Sequence, residues 1–296
     1  MSRCAALARD DGSAGTSAPG GRLAPDVSLS SSPAREPLTV EVWSDVVCPW
    51  CYIGKRRLEA AVEQTGVDVR VVWRSFQLDP TSPRKGEPGH GGDVATYLGE
   101  KYGGGREAGL QMNARVTEVA AQDGLEYHLD KAVRGSTADA HRLIHLASTV
   151  DPDGTARLQD AVKERFLQAY FTDGQDVSDL DVLRALAVEA GLPAQQVDDV
   201  LTSSAFARDV VADQAQAQAY GANGVPFTVV DSKYGVSGAQ PVEVFAEALR
   251  RAAADRVPTL VTVGAAPAAG ATGTAAGTTD GTGEACGPDG CAVPQQ

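Results

Sequence analysis

The stretch "WSDVVCPWCYIGKRRLEAAV", residues 43 to 62, constrains this chain more than any other. A Val-rich run ends near Val47 and a run with helical spacing follows. Cys48 therefore falls at the N-cap and Pro49 at the first helical position, where the missing N–H costs nothing and the fixed φ is already helical. This placement predicts that the backbone N–H groups of Trp50 and Cys51 point at the Cys48 sulfur and, with the positive end of the helix dipole, favour its thiolate. Cys51 belongs to a stripe with Gly54, Leu58, Ala61 and Val62 that should face a sheet, Gly54 allowing close approach. Cys48 then reads as a nucleophile, Cys51 as a buried resolving thiol, and Trp50 as a wall that a substrate would touch.

Two cysteines three residues apart have other uses. Cys48, Cys51, Cys286 and Cys291 could formally hold zinc in an interaction module, but the pairs lie far apart in sequence, unlike the short ligand loops of ribbons and fingers. A structural disulfide across so small a loop would remove little entropy from the unfolded chain. Thiol–disulfide exchange needs the context present here, a strand, Cys-Pro-x-Cys and a helix.

The chain has 296 residues, 43% of them hydrophobic, enough for one large domain or two small ones. A net charge of −13 repels phosphate backbones and anionic lipid, so neither a nucleic-acid nor a membrane partner is expected. Five cysteines are too few for a disulfide-built scaffold. Residues 1–37 lack an apolar signal core and read as a disordered leader carrying an incidental thiol, Cys4, so the expected compartment is the cytoplasm.

A strand is predicted from about Leu38 to Trp43, a helix from Pro49 to a stop at Gly66, and a half-exposed strand in "VDVRVVWRSF". Residues 93–219 are helical in pattern, with helix starts marked by Ser136 with Asp139 and Ser178 with Asp181. "GVPFTVV" and "YGVSG" form a hairpin, and a helix runs from about Pro241 to Ala254. This is the layout of an α/β thioredoxin-like fold, residues 38–92 with 220–257, interrupted by an inserted helical domain at 93–219. Residues 258–296 read as a flexible tail bearing "CGPDGC". The Pro226 that opens the third strand suits a cis peptide after Val225, in the turn that faces the sulfurs in such a fold.

The motifs "SDVVCPWCYIGKRRLE", "STADAHRLIHLA", "GVPFTVV" and "YGVSGAQ" together resemble the DsbA-like oxidoreductases of the FrnE type, relatives of the 2-hydroxychromene-2-carboxylate isomerases, over about residues 38–255. The resemblance implies a redox pair at Cys48 and Cys51, a cis peptide before Pro226, protein dithiols and disulfides as partners with glutathione as a further candidate, and no cofactor. Relatives that act as glutathione-dependent isomerases tend to carry Ser at the position of Cys48. That difference speaks against isomerase or small-molecule chemistry here, though a glutathione-linked isomerase or reductase stays the alternative within enzymes. FrnE-type members can also carry a C-terminal cysteine pair, similar in placement to Cys286 and Cys291.

The turn sequence between Cys286 and Cys291 lets the two approach to disulfide distance. A linker of about 28 flexible residues spans roughly 30 Å, enough for this pair to visit Cys48 as a second redox pair. His141 and His145 lie one helical turn apart without a third ligand at motif spacing, so packing or groove lining is expected rather than a metal. Lys55, Arg56 and Arg57 read as a solvated basic face with a slight pull on the Cys48 thiolate.

Overall fold

The computed structural model describes residues 36–155 and 157–256. Its centre is a four-stranded sheet in the order β2-β1-β3-β4. Strand β1 (Leu38–Ser44) runs parallel to β2 (Val69–Ser75), with Val40 beside Val71 and Val42 beside Trp73. On its other edge β1 is antiparallel to β3 (Phe227–Val230), which turns directly into β4 (Tyr234–Ser237). As a central strand β1 is buried at every position except Thr39, including the polar Glu41, whose carboxylate pairs with Arg74 of β2 at 2.6 Å.

Helix α1 (Pro49–Thr65) and helix α9 (Val242–Asp255) pack together against one face of the sheet. Ile53 and Leu58 of α1 join Phe245 and Leu249 of α9 in a core with Val40 and Val42. Helix α1 stops at Gly66, whose φ of 62° is left-handed and whose N–H closes on the Val62 carbonyl at 2.9 Å. The opposite face carries a smaller cluster of Trp43, Phe227 and Val229 against Ala217. There the Trp43 indole donates to the Asp213 carbonyl at 2.8 Å, which seats helix α8 (Ala207–Ala219) on the sheet.

Between β2 and β3 the chain is helical: α2 (Val94–Tyr102), α3 (Gly105–Gln122), α4 (Ala138–Val150), α5 (Leu158–Phe171), α6 (Leu180–Glu189), α7 (Ala194–Leu201) and α8. Helices α2 and α3 form a tight pair, possible because Gly99 and Gly109 each approach the partner's backbone so closely that a Cβ would overlap a carbonyl oxygen. Two helix starts differ from the sequence expectation by one residue. Thr137, not Ser136, is the N-cap of α4, and Asp179, not Ser178, caps α6, accepting from the Asp181 N–H at 3.0 Å. The Ser178 hydroxyl is consumed elsewhere, donating to Asp176 at 2.6 Å and meeting the His90 ring at 3.0 Å.

Candidate active site

Cys48 occupies the N-cap of α1 with extended backbone dihedrals (φ −91°, ψ 113°), and Pro49 begins the helix. The Val225–Pro226 peptide is cis and lies across from it. The Cys48 thiol sits 3.6 Å from the Val225 carbonyl oxygen and donates to it. A Cβ on Gly54 would stand 3.0 Å from the Pro226 ring, so the close approach that glycine allows is to the Pro226 turn rather than to the sheet.

The expected fan of N–H donors around the Cys48 sulfur is absent. The Cys48 side chain takes no cap hydrogen bond, and the Cys51 N–H donates instead to the Cys48 carbonyl at 3.0 Å. The first turn is tightened, so one of the two expected donors is committed to the backbone.

Cys48 lines a cleft of about 690 Å³ together with Pro49, Trp50 and Val225, whereas Cys51 does not reach it. Trp50 is 41% exposed at the rim, as its place on the first turn predicts. The far wall comes from α2 and α3 through Tyr97, Leu98, Met112 and Val116. Cys51 lies behind, 1% exposed; burial pushes its thiol well above the usual range, and a hydrogen bond donated by that thiol to Cys48 and the charge of Cys48 push it further.

Beneath the cysteines is a polar floor that the sequence did not reveal. Asp45 is fully buried, accepting from the Leu78 N–H at 2.8 Å and from the His141 ring at 3.2 Å, while its own carbonyl receives the Cys48 N–H at 3.3 Å. Burial alone would raise the Asp45 carboxyl, but the bond and charge of His141, the Leu78 N–H and the charge of Lys163 outweigh it and hold the group below its ordinary value. Burial in turn pulls His141 down against the attraction of Asp45. The pair is a neutral imidazole donating through Nε2 to a carboxylate, which agrees with the buried His141 Nδ1 having no partner. His145 faces elsewhere, 3.0 Å from Asp213 and 3.1 Å from the Ser75 hydroxyl. Among the described residues no group of three or more His, Cys, Asp or Glu side chains is placed to hold a metal ion.

Lys163 of α5 enters the same floor, 1% exposed, with its ammonium 3.4 Å from the Ser44 carbonyl and 5.7 Å from the centre of the Trp73 ring. Burial brings it down to about 8, against the pull of Cys51, then Asp45 and Cys48. The overlooked sequence signal is its spacing: Lys163, Leu167 and Tyr170 share one helical face, and all three are buried. Tyr127 supports the loop above, its hydroxyl donating to the Pro49 carbonyl at 2.7 Å.

The basic run on α1 is not a solvated face. Lys55 is buried and meets Glu164 at 2.9 Å and Asp160 at 3.3 Å, besides Glu59; Arg56 reaches Glu164 and Glu59; Arg57 pairs with Asp123 at 2.9 Å. Helical insertion elements supply most of those carboxylates, so the cations are neutralised locally rather than directed at Cys48. Cys4, Cys286 and Cys291 lie outside the described residues.

Residues 39–250 match the model of the DSBA-like thioredoxin domain. The chain belongs to that family. Among solved structures, the probable DsbA oxidoreductase of Streptomyces coelicolor is 40% identical, with a TM-score of 0.66 over 87% of this chain and 100% of that one. A 2-hydroxychromene-2-carboxylate isomerase shares the fold at 15% identity, with a TM-score of 0.50 over 73% of this chain and 97% of that one. The uncharacterised protein YwbO of Bacillus subtilis (strain 168) is 26% identical over 169 residues, 56% of this chain and 73% of its own length. A DsbA-like thioredoxin domain places oxidoreductase or isomerase chemistry within reach of this site. No helix among the described residues is long and apolar enough to cross a membrane.

Proposed function

We propose that this DsbA-like chain is a thiol–disulfide oxidoreductase of the FrnE type acting on protein dithiols and disulfides through Cys-Pro-Trp-Cys, in the cytoplasm. The observation that carries this reading is the position of the two thiols relative to the cleft: both are almost fully buried, 3% exposed for Cys48 and 1% for Cys51, but Cys48 lines the cleft and Cys51 does not. In the reducing direction the Cys48 thiolate attacks a substrate disulfide and expels one thiolate. Cys51 then attacks the Cys48 sulfur of the mixed disulfide, releasing the second substrate thiolate and leaving a Cys48–Cys51 disulfide. Two electrons pass to the substrate, and each departing thiolate takes up a proton. The oxidising direction is the reverse. The Val225 carbonyl and the backbone beside Pro226 offer a strand edge for the substrate to pair with.

A second reading, a glutathione-linked reductase or isomerase of a small molecule, is favoured by the cleft, whose volume of about 690 Å³ is that of a small-molecule site. Insulin reduction separates the two. The protein reading predicts turnover that is lost in Cys48→Ser; turnover only of low-mass disulfides would favour the second reading. From the sequence of the tail, Cys286 and Cys291 are further proposed as a relay that exchanges with Cys48.

A further inference from the structure

We infer that Tyr127 is a positioning residue for Cys48: its hydroxyl holds the Pro49 carbonyl and so polarises the Pro49–Trp50 peptide, whose N–H is the donor left for the Cys48 thiolate. The inference rests on the oxidoreductase reading and deepens it. The Tyr127 hydroxyl stands 2.7 Å from the Pro49 carbonyl oxygen and makes no other hydrogen bond among the described residues. That oxygen and the Trp50 N–H are the two ends of one amide, so a bond that draws electrons to the oxygen makes the nitrogen a stronger donor. An N-cap side chain is served by the N–H groups of the second and third helical residues, which after Cys48 are Trp50 and Cys51. The Cys51 N–H already goes to the Cys48 carbonyl, whereas the Trp50 N–H has no acceptor among the described residues. The neutral Cys48 thiol donates to the Val225 carbonyl at 3.6 Å. Once its proton has left through the cleft to water, Cys48 can no longer make that bond, and the Trp50 N–H is the free donor of its turn.

The fold fixes this hydroxyl from several sides. Before Tyr127 the Glu126 carbonyl accepts from the Thr172 hydroxyl at 2.8 Å, and after it the His128 N–H donates to the Phe171 carbonyl at 2.6 Å, so the segment is pinned to the end of α5. The ring stacks on Phe171, centroids 4.6 Å apart, and on Tyr52 at 6.2 Å. Tyr52 cannot take its place, because its own hydroxyl donates to Glu164. Burial, then the charges of Cys48 and Cys51, push the Tyr127 phenol up, so it keeps the proton it donates. The other titratable groups around Cys48 are Cys51 on its own helix, Asp45 in the loop before it and Lys163 of α5. Across the cleft stand the Asp79–Arg134 pair, Lys101 and Arg115, while the turn before β3 brings the Val225 carbonyl and no charge. A change confined to the Tyr127 hydroxyl leaves all of these in place.

Alkylation of Cys48 by iodoacetamide across pH, read by peptide mapping, reports its thiolate without requiring turnover. The reduced full-length chain with Cys4→Ala, Cys286→Ala and Cys291→Ala keeps only the two active-site thiols. A charge-assisted bond strengthened by roughly 10–30% changes the thiolate population by about 1.3- to 5-fold. Tyr127→Phe, which keeps the stacked ring, should slow alkylation at neutral pH by a factor in that range. On the alkaline plateau, where Cys48 is thiolate throughout, the variant should react as fast as the parent or faster, since a less stabilised thiolate is the better nucleophile. Fluorotyrosine in place of Tyr127, a stronger donor of nearly the same shape, should shift both rates the opposite way, and it decides alone if Tyr127→Phe does not fold. Rates unchanged, changed by one factor at every pH, or moved in the same direction by both replacements would overturn the inference. Insulin reduction by the same parent chain keeps the two claims apart. A parent without insulin turnover would remove the oxidoreductase reading, while the alkylation profiles would still judge the hold of Tyr127 on Cys48.

Discussion

Lys163 is expensive at neutral pH. Held at about 8 rather than 10.5, its ammonium costs the folded state on the order of 3 kcal/mol. The sign follows from proton binding: below about 8 both states carry the charge and the full cost is present, and it vanishes as pH rises to 10.5. Lys163→Met should therefore stabilise the protein at pH 7 by about 2–3 kcal/mol, a gain that disappears above about pH 10.5 in denaturant titrations. A destabilised variant at pH 7 would show that the lysine contributes binding energy instead. At this scale Cys48, Cys51 and Pro226 were legible because a strand end, a proline and a turn fix them locally. Lys163, Asp45 and Tyr127 were not, since each acquires its meaning from a partner on another element. The Lys163 spacing with Leu167 and Tyr170 was visible, but only a lysine that burial has already placed can be told from one that snorkels out of an apolar face.

Between elements, charge joins the helical insertion to the thioredoxin core. Glu164 of α5 accepts from the Tyr52 hydroxyl at 2.6 Å and from Arg56, and meets Lys55 at 2.9 Å. Burial raises its carboxyl, but those partners prevail and bring it to about 2. Its stabilising contribution is complete above its unfolded value of 4.5 and fades as pH falls toward about 2. Glu164→Gln should cost about 1–3 kcal/mol at pH 7, discounted for its partial exposure, and the deficit should shrink below pH 4 in thermal melts. His141 acts in a higher window. Because folding lowers it from 6.5, the stability of its neutral form is present above that value and is lost as pH drops below it. Wild type should lose melting temperature between about pH 6.5 and 5, and His141→Gln, which keeps a donor toward Asp45, should flatten that slope. The basic run on α1 was misread for the same reason that Lys163 was missed: helical spacing places Lys55 beside the Cys51 stripe, but only the tertiary fold brings Asp160 and Glu164 to meet it. The start of α6 fell one residue later than expected because a neighbouring acid, Asp176, captured the Ser178 hydroxyl.

The whole molecule puts its chemistry where strand, helix and turn converge. The end of the central strand β1, the start of α1 and the turn before β3 meet at one point, and the cleft is completed from outside the thioredoxin core by α2 and α3. The succession of strands and helices along the chain could be anticipated because periodicity switches cleanly between the two; the packing of the insertion could not, since helical spacing does not say which faces meet. For the intact chain we expect a potential between those of thioredoxin and DsbA, roughly −190 to −260 mV, since Trp50 brings no cationic side chain to the Cys48 thiolate; a glutathione redox titration checks this. Removing the residues after Gly264 should change how fast external thiols recycle the pair, while the melting temperature stays within about 2 °C. The central claim, that Cys48 attacks and Cys51 resolves, is tested most directly by trapping. Cys51→Ser incubated with a disulfide-bonded protein substrate and digested without reductant should yield, by mass spectrometry, a substrate peptide joined to the Cys48 peptide. A substrate adduct forming instead on Cys51 in Cys48→Ser, with none on Cys48 in Cys51→Ser, would contradict it.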